Sequence, residues 1–243
     1  MKKDWMAVAL DIFEAQKQAH TMQRNAKKTY ISVRRKIVKE ILFPHGFVAK
    51  TPSIFVCVKN NLSFCIQFEG DKFGVNYYVE LGWQHKDAVF YTPYPRLGSY
   101  FKVCVDNYIH RQRLSSNSMP KAEIPRDWFY YDNDAVVMAD KLRGQLNLAL
   151  VVFDKMVSRY DILESSLAVY TPSYLSDCIN KYGNYVQERI IYEMAFISAK
   201  IGNDKLMKEY INLGLSCIDQ YPSDKKECND RRREWMKFPA SLL

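Results

Sequence analysis

Three carboxylates, Glu69, Asp71 and Glu80, fall within twelve residues of one another in a stretch rich in Val, Ile, Phe and Tyr. Acids of this kind on a sheet, with a lysine nearby, are what a metal-dependent nuclease needs to hold a divalent cation against a phosphodiester. The same residues have a plainer reading. Glu69-Gly70-Asp71 has the composition of a hairpin turn, where Asp and Gly are favoured for their backbone conformations. The other chemical residue types are scattered. His20, His45, His85 and His110 are far apart, with no H-E-x-x-H spacing, and the six cysteines (57, 65, 104, 178, 217 and 228) contain no C-x-x-C pair. Most of those cysteines sit inside apolar runs and read as buried free thiols. No glycine-rich phosphate loop and no G-x-S-x-G elbow is present. The expectation is therefore no catalytic set, no metal site and no cofactor.

Binding chemistry has more material. The net charge is +8, and residues 1–50 hold 11 basic against 4 acidic side chains, so nearly all the excess lies there. Lys27, Lys28, Arg34, Arg35, Lys36 and Lys39 read as one basic helix face, able to meet phosphate or an acidic protein surface. A second candidate surface is aromatic. Tyr77, Tyr78, Trp83, Tyr91, Tyr94 and Tyr100 crowd the strand region, a density that reads first as core and cross-strand pairs, while Tyr77, Trp83, Tyr91 and Tyr94 would form a protein-binding patch if they faced outward. The polar stretch 110–127, with Arg111, Arg113, Lys121 and Arg126, reads as a long basic loop.

These residues must be positioned by an α+β fold. Three strand-like runs between Gly46 and Trp83 are broken at Lys59-Asn60-Asn61 and at Glu69–Gly74, as in an antiparallel meander. Ile54, Val56 and Val58 alternate with Phe55, Cys57 and Lys59, and Phe64, Ile66 and Phe68 with Cys65 and Gln67, which predicts one apolar face. Two more strands are expected at 88–93 and 99–105, making about five in all. Helices are expected at 4–23 (Trp5, Val8, Ile12, with Phe13 and Ala19) and at 29–43 (Tyr30, Val33, Ile37, Val38, Ile41), the latter ending at Pro44 and Gly46. From Asp134 to residue 164 the stripe Leu142, Leu146, Ala149, Leu150, Phe153, Met156 and Tyr160 predicts one long helix, capped by Asp132, Asn133 or Asp134. A shorter helix follows Thr171-Pro172-Ser173. A helical hairpin follows that, with Val186, Ile190, Met194 and Ile197 facing Leu206, Tyr210, Leu213 and Cys217 across a Gly202 turn with an Asp204 cap, and with Ala195, Ala199 and Gly214 allowing close approach. The tail from Ser223 reads as a short surface helix. The expected division is an α+β domain over 1–165, with its sheet over 46–106, and a helical extension over 166–243.

The order of ILFPHGF (41–47), LSFCIQFEG (62–70) and FGVNYYVELG (73–82) resembles a bacterial family of small α+β domains of unknown function. The matching positions are Gly46, Phe47, Gln67, Phe68, Phe73, Asn76 and Gly82. Residues 148–163, LALVVFDKMVSRYDIL, resemble the closing helix of that family, and the likeness covers about residues 28–165. The segment AFISAKIGNDKLMKEYINLGL is similar to a single tetratricopeptide unit. Domains of this kind occur among toxin-immunity-type proteins, which implies protein binding without catalysis, with a toxin or defence-complex subunit as the partner. No site residue is carried over from the likeness.

No apolar stretch approaches the roughly 20 residues that cross a bilayer. The N-terminus begins like a signal peptide, but Asp11 and Glu14 interrupt it and no small-residue cleavage site follows. A cytoplasmic protein is expected, binding another protein in the first reading, nucleic acid through the basic helices in the second, and hydrolysing nucleic acid with a metal in the third.

Overall fold

A computed structural model describes residues 5–70, 76–88, 108–114, 129–182 and 187–219, together with 228, 229, 232, 233, 235 and 236 of the tail. The first element, α1 (Trp5–Ile41), is one continuous helix of 37 residues where the spacing predicts two. No Gly or Pro lies between residues 5 and 41, and across the gap between the two expected helices Ala26 is buried while Gln23, Arg24, Asn25, Lys27 and Lys28 are exposed, as along an unbroken helix. The helix stops in a 3-10 turn at Phe43–His45, closed by Gly46 at φ 85°.

Four strands follow in meander order, β1 (Val48–Thr51), β2 (Ile54–Lys59), β3 (Leu62–Gly70) and β4 (Asn76–His85). The chain returns as β5 (His110–Arg113) and β6 (Phe129–Tyr130), in the sheet order β1-β2-β3-β4-β5 with β6 antiparallel to the start of β4. Part of the stretch predicted as a basic loop is thus a strand at His110–Arg113. The strands expected at 88–93 and 99–105 lie, apart from Ala88, outside the described residues. So do positions 115–128 of that loop.

The helices that follow are α2 (Ala135–Asp161), α3 (Leu163–Val169), α4 (Pro172–Tyr182), α5 (Gln187–Lys200) and α6 (Asp204–Asp219). Asp134 caps α2, its carboxylate accepting the N–H groups of Val136 and Val137 at 2.7 and 3.2 Å. The helix expected to reach 164 ends at Asp161, where Ile162 is extended. Every residue of its predicted stripe is buried. Gly202 turns the chain between α5 and α6 with φ 74°, and Asn203, not Asp204, caps α6 by accepting the Leu206 N–H.

The prediction of a single apolar sheet face is corrected by burial. Ile54 through Cys57 and Phe64 through Phe68 are buried without interruption, so both faces of the central strands are covered. The described residues divide into two compact units drawn from interleaved segments: Met1–Phe55 with Ile66–Glu80 and Arg113–Val151, and Val56–Cys65 with Leu81–Gln112 and Val152–Leu243. In the first unit the C-terminal part of α1 buries Ala26, Tyr30, Val33, Ile37 and Val38. Tyr30 meets Tyr77 at 4.4 Å and Tyr131 at 4.9 Å between ring centres, and Tyr77 donates its hydroxyl to Gln145 at 2.9 Å. In the second unit Phe64 packs on Trp83 and Phe153. The β2–β3 turn is pinned there as well, since Asn60, at φ 54°, donates to Asp161 and Asn61 to the Tyr160 carbonyl. The five described cysteines are free, and 57, 65 and 217 are buried.

Gly214 does not serve helix approach alone. Trp235, expected on a surface helix of the tail, is buried with its ring against Gly214 and its indole N–H on Glu188. A Cβ at 214 would overlap that ring, whereas one at Gly144, exposed within α2, meets nothing. Gly214→Ala is expected to destabilise the protein by about 1–3 kcal/mol. Gly144→Ala should stabilise it by about 0.5–1 kcal/mol. Urea midpoints of the two variants moving in the same direction would contradict this packing.

Candidate functional site

The basic helix face is the feature that reaches solvent. Between Lys17 and Lys39, α1 carries eight basic residues and no acidic one. Lys17, Arg24, Lys28, Arg35 and Lys39 are spaced seven, four, seven and four apart, which at about 100° per residue confines them to a strip about 60° wide and about 33 Å long. All five are exposed, as are the flanking Lys27 and Lys36, and among the described residues none forms an ion pair. Glu40, one residue beyond, is drawn off the strip by Arg143, which donates to both its oxygens at 3.2 Å.

Arg34 does not belong to this face, a correction to the prediction. It is only 7 % exposed, on the rim of the apolar stripe one turn after Tyr30. Its guanidinium donates to the Tyr30 hydroxyl at 3.1 Å and lies over the rings of Tyr30 and Phe68 at 5.0 and 5.4 Å. Its Nε has no partner. Burial pushes the Tyr30 hydroxyl far above the usual tyrosine range, with Arg34 opposing.

Of the four candidate aromatics, the two that are described follow the core reading and not the exposed one. Tyr77 and Trp83 are core residues, and Tyr91 and Tyr94 lie outside the described residues. The carboxylates of the nuclease reading are already engaged. Glu69 accepts from the Gln67 amide and the Tyr78 hydroxyl, and Glu80 pairs with Arg113 at 3.1 Å, whose guanidinium covers the Tyr78 ring at 4.1 Å. Asp71 lies outside the described residues. Among the described residues no group of three His, Cys, Asp or Glu is placed to hold a metal.

One polar centre is not visible in the spacing of the sequence. Glu193 of α5 is fully buried and accepts from three donors, the His85 backbone N–H, His110 Nε2 at 2.6 Å, and the Tyr160 hydroxyl, which lies 3.0 and 3.1 Å from its two oxygens. His110 is stacked by Trp83 on one side and Tyr170 on the other, with ring centres 5.7 and 5.4 Å away. His85 packs on Phe196, and its Nδ1 accepts the Asp87 N–H, which places the ring proton on Nε2, an atom with no partner. Residues 85, 110, 160 and 193 come together only through topology. The one signal was a lone acid inside the apolar run IIYEMAFISAK. Because all four side chains are buried, no substrate can reach the carboxylate or the imidazoles, and the centre works as a clasp that ties α5 to β4, β5 and α2.

Two outcomes follow. Glu193→Ala strands three buried donors and is expected to cost at least about 3 kcal/mol by chemical denaturation. Burial holds the His85 imidazole below the ordinary histidine range, Lys200 adding to this while Asp87 and Glu193 oppose it. The folded protein thus binds fewer protons at His85 than the unfolded chain does. Its contribution to stability is complete above about pH 6.5 and is lost as the pH falls from there toward the lowered folded value. Between pH 6.5 and 5 the stability of His85→Leu should vary less steeply with pH, by up to about 1.4 kcal/mol per pH unit. An unchanged slope would rule out a neutral buried His85.

No helix among the described residues is long and apolar enough to cross a membrane. Comparison with protein-family models, with curated proteins and with solved structures gives no match.

Proposed function

We propose that the protein is a noncatalytic, cytoplasmic binding protein that holds nucleic acid by its phosphate backbone along α1. The observation that carries this reading is the uncompensated strip Lys17, Arg24, Lys28, Arg35 and Lys39, flanked by Lys27 and Lys36. Cations held along about 33 Å of a straight helix can each displace a condensed counterion from a phosphate, and that release drives binding without sequence readout. No aromatic side chain interleaves with the strip, so base stacking has no part in it. Binding is favoured over hydrolysis because Glu69 and Glu80 are already committed to Tyr78 and Arg113.

A second reading, a protein-binding module of immunity or defence-system type, draws on the likeness of residues 28–165 and on Val137, Leu148 and Val151, which are exposed along one face of α2. Its partner would be a toxin or a defence-complex subunit.

Fluorescence anisotropy with a labelled 25-base-pair duplex across a salt series tests the first reading. The wild-type logarithmic salt slope is expected near about −4 to −5, since five phosphates are neutralised. Reversing both Arg35 and Lys39 to Glu should weaken binding at least tenfold and flatten the slope by about 2, while Lys155→Glu, exposed on α2, should change little. Equal affinity of wild type and the double reversal across the series would end the proposal.

A further inference from the structure

The face of α1 opposite the cations raises a separate question. Residues 12–25 are exposed without interruption, and among them Ile12 is 54 % and Met22 61 % exposed. From Ala26 onward the same side of the helix is buried. The stripe does not change character where its cover ends. Residues 5, 8, 12, 15, 19, 22 and 26 (Trp, Val, Ile, Ala, Ala, Met, Ala) alternate spacings of three and four through three heptads. That is a repeat of 3.5 residues, the period of a coiled-coil seam and narrower than a helix packed on a globular core requires.

We infer that two copies of this chain pair through this seam, helix against helix, over residues 5–22, short of the buried Ala26. The composition of the seam fits a helix as the occupant. Ala15 and Ala19 let two backbones approach closely, and Ile12 and Met22 supply the apolar bulk. An alanine-rich stripe is a poor match for a lipid surface, where affinity scales with the apolar area inserted. Electrostatics fit a second copy. The positions flanking the seam are Asp11, Gln18 and Asn25 on one side and Ala9, Gln16 and Gln23 on the other, so no cation faces its own image across the pair. Lys17 and Arg24 lie on the far side and stay in water. A surface whose rims hold no cation and one acid, Asp11, on a protein of net charge +8 meets itself without the repulsion that the cation strip of α1 would bring. The helix also gains support, because a run of about 20 residues with Gln and Asn on its flanks is marginal in water without a packed face. Two such strips bury on the order of 1,000 Å² in total, the lower end for a specific interface, so a dimer in the micromolar range is expected.

Sedimentation velocity of the full chain from 1 to 200 µM is the test. A rise from monomer to dimer mass across that range is expected. Ile12→Glu and Met22→Glu should each shift the midpoint at least tenfold upward, with circular dichroism and melting temperature of the monomer unchanged, since both side chains are exposed. A wild type that stays monomeric throughout overturns the inference. So does a dimer that both variants leave intact. A wild-type monomer that instead sediments with zwitterionic phospholipid vesicles, and loses them on Ile12→Glu, assigns the seam to a membrane and overturns it equally. None of these outcomes depends on whether the basic strip binds nucleic acid.

Discussion

Helix α1 carries one apolar stripe in its sequence, exposed over residues 12–25 and buried from Ala26 onward. Tyr30 sets its rotation. Its ring is held between Tyr77 and Tyr131, its hydroxyl receives Arg34, and burying an aromatic ring of this size is worth several times the energy of any single surface contact. With Tyr30, Val33 and Ile37 turned inward, the helical period leaves no freedom for the rest. Lys28, Arg35 and Lys39 must then face solvent, and the exposed stripe from Ile12 to Met22 lies on the same side as the buried residues. That single rotational setting separates the cation strip from the apolar stripe.

Buried charge is handled in two ways. Glu193 is surrounded by donors from a strand backbone, an imidazole and a phenol, so its desolvation is repaid by hydrogen bonds and its neighbours hold one geometry. Arg34 has a single donated hydrogen bond and otherwise rests on aromatic faces. Guanidinium tolerates this because it is delocalised, weakly hydrated and stabilised by ring quadrupoles. Neither arrangement resembles a reactive site. A catalytic acid or base needs access to a substrate atom, and Glu193 and Arg34 are both buried.

Legibility in the sequence divides along physical lines. The α2 stripe, the α5–α6 hairpin and the β2–β3 turn were readable because each is a local pattern, a period of 3.6, a glycine that must take positive φ, or an Asn pair at a strand reversal. The continuity of α1 is not legible because between Met22 and Tyr30 only the small Ala26 carries the apolar stripe, too little to mark a helix that runs through. Arg34 was misplaced because a count of charges does not separate the rim of a stripe from its opposite side, a difference of about 100° on the wheel. For Tyr77 and Trp83 the sequence leaves core and surface both open, because periodicity does not tell which rings are exposed. The Glu193 centre joins residues 85, 110, 160 and 193, and no local rule spans such separations.

The two faces of α1 also constrain each other. Lys17 and Arg24 stand roughly opposite the seam, so two helices joined there would carry their cation strips on opposite sides, about 20 Å apart given a helix diameter of about 10 Å. A straight duplex lying on one strip cannot touch the other. Pairing would therefore leave the phosphate contacts available to any single duplex unchanged and would instead place a second nucleic-acid segment within reach of the same dimer. The gain would come through effective concentration and not through a longer contact. An interface that used the cations themselves could not do this, because their mutual repulsion would oppose the pairing that brings the two segments together.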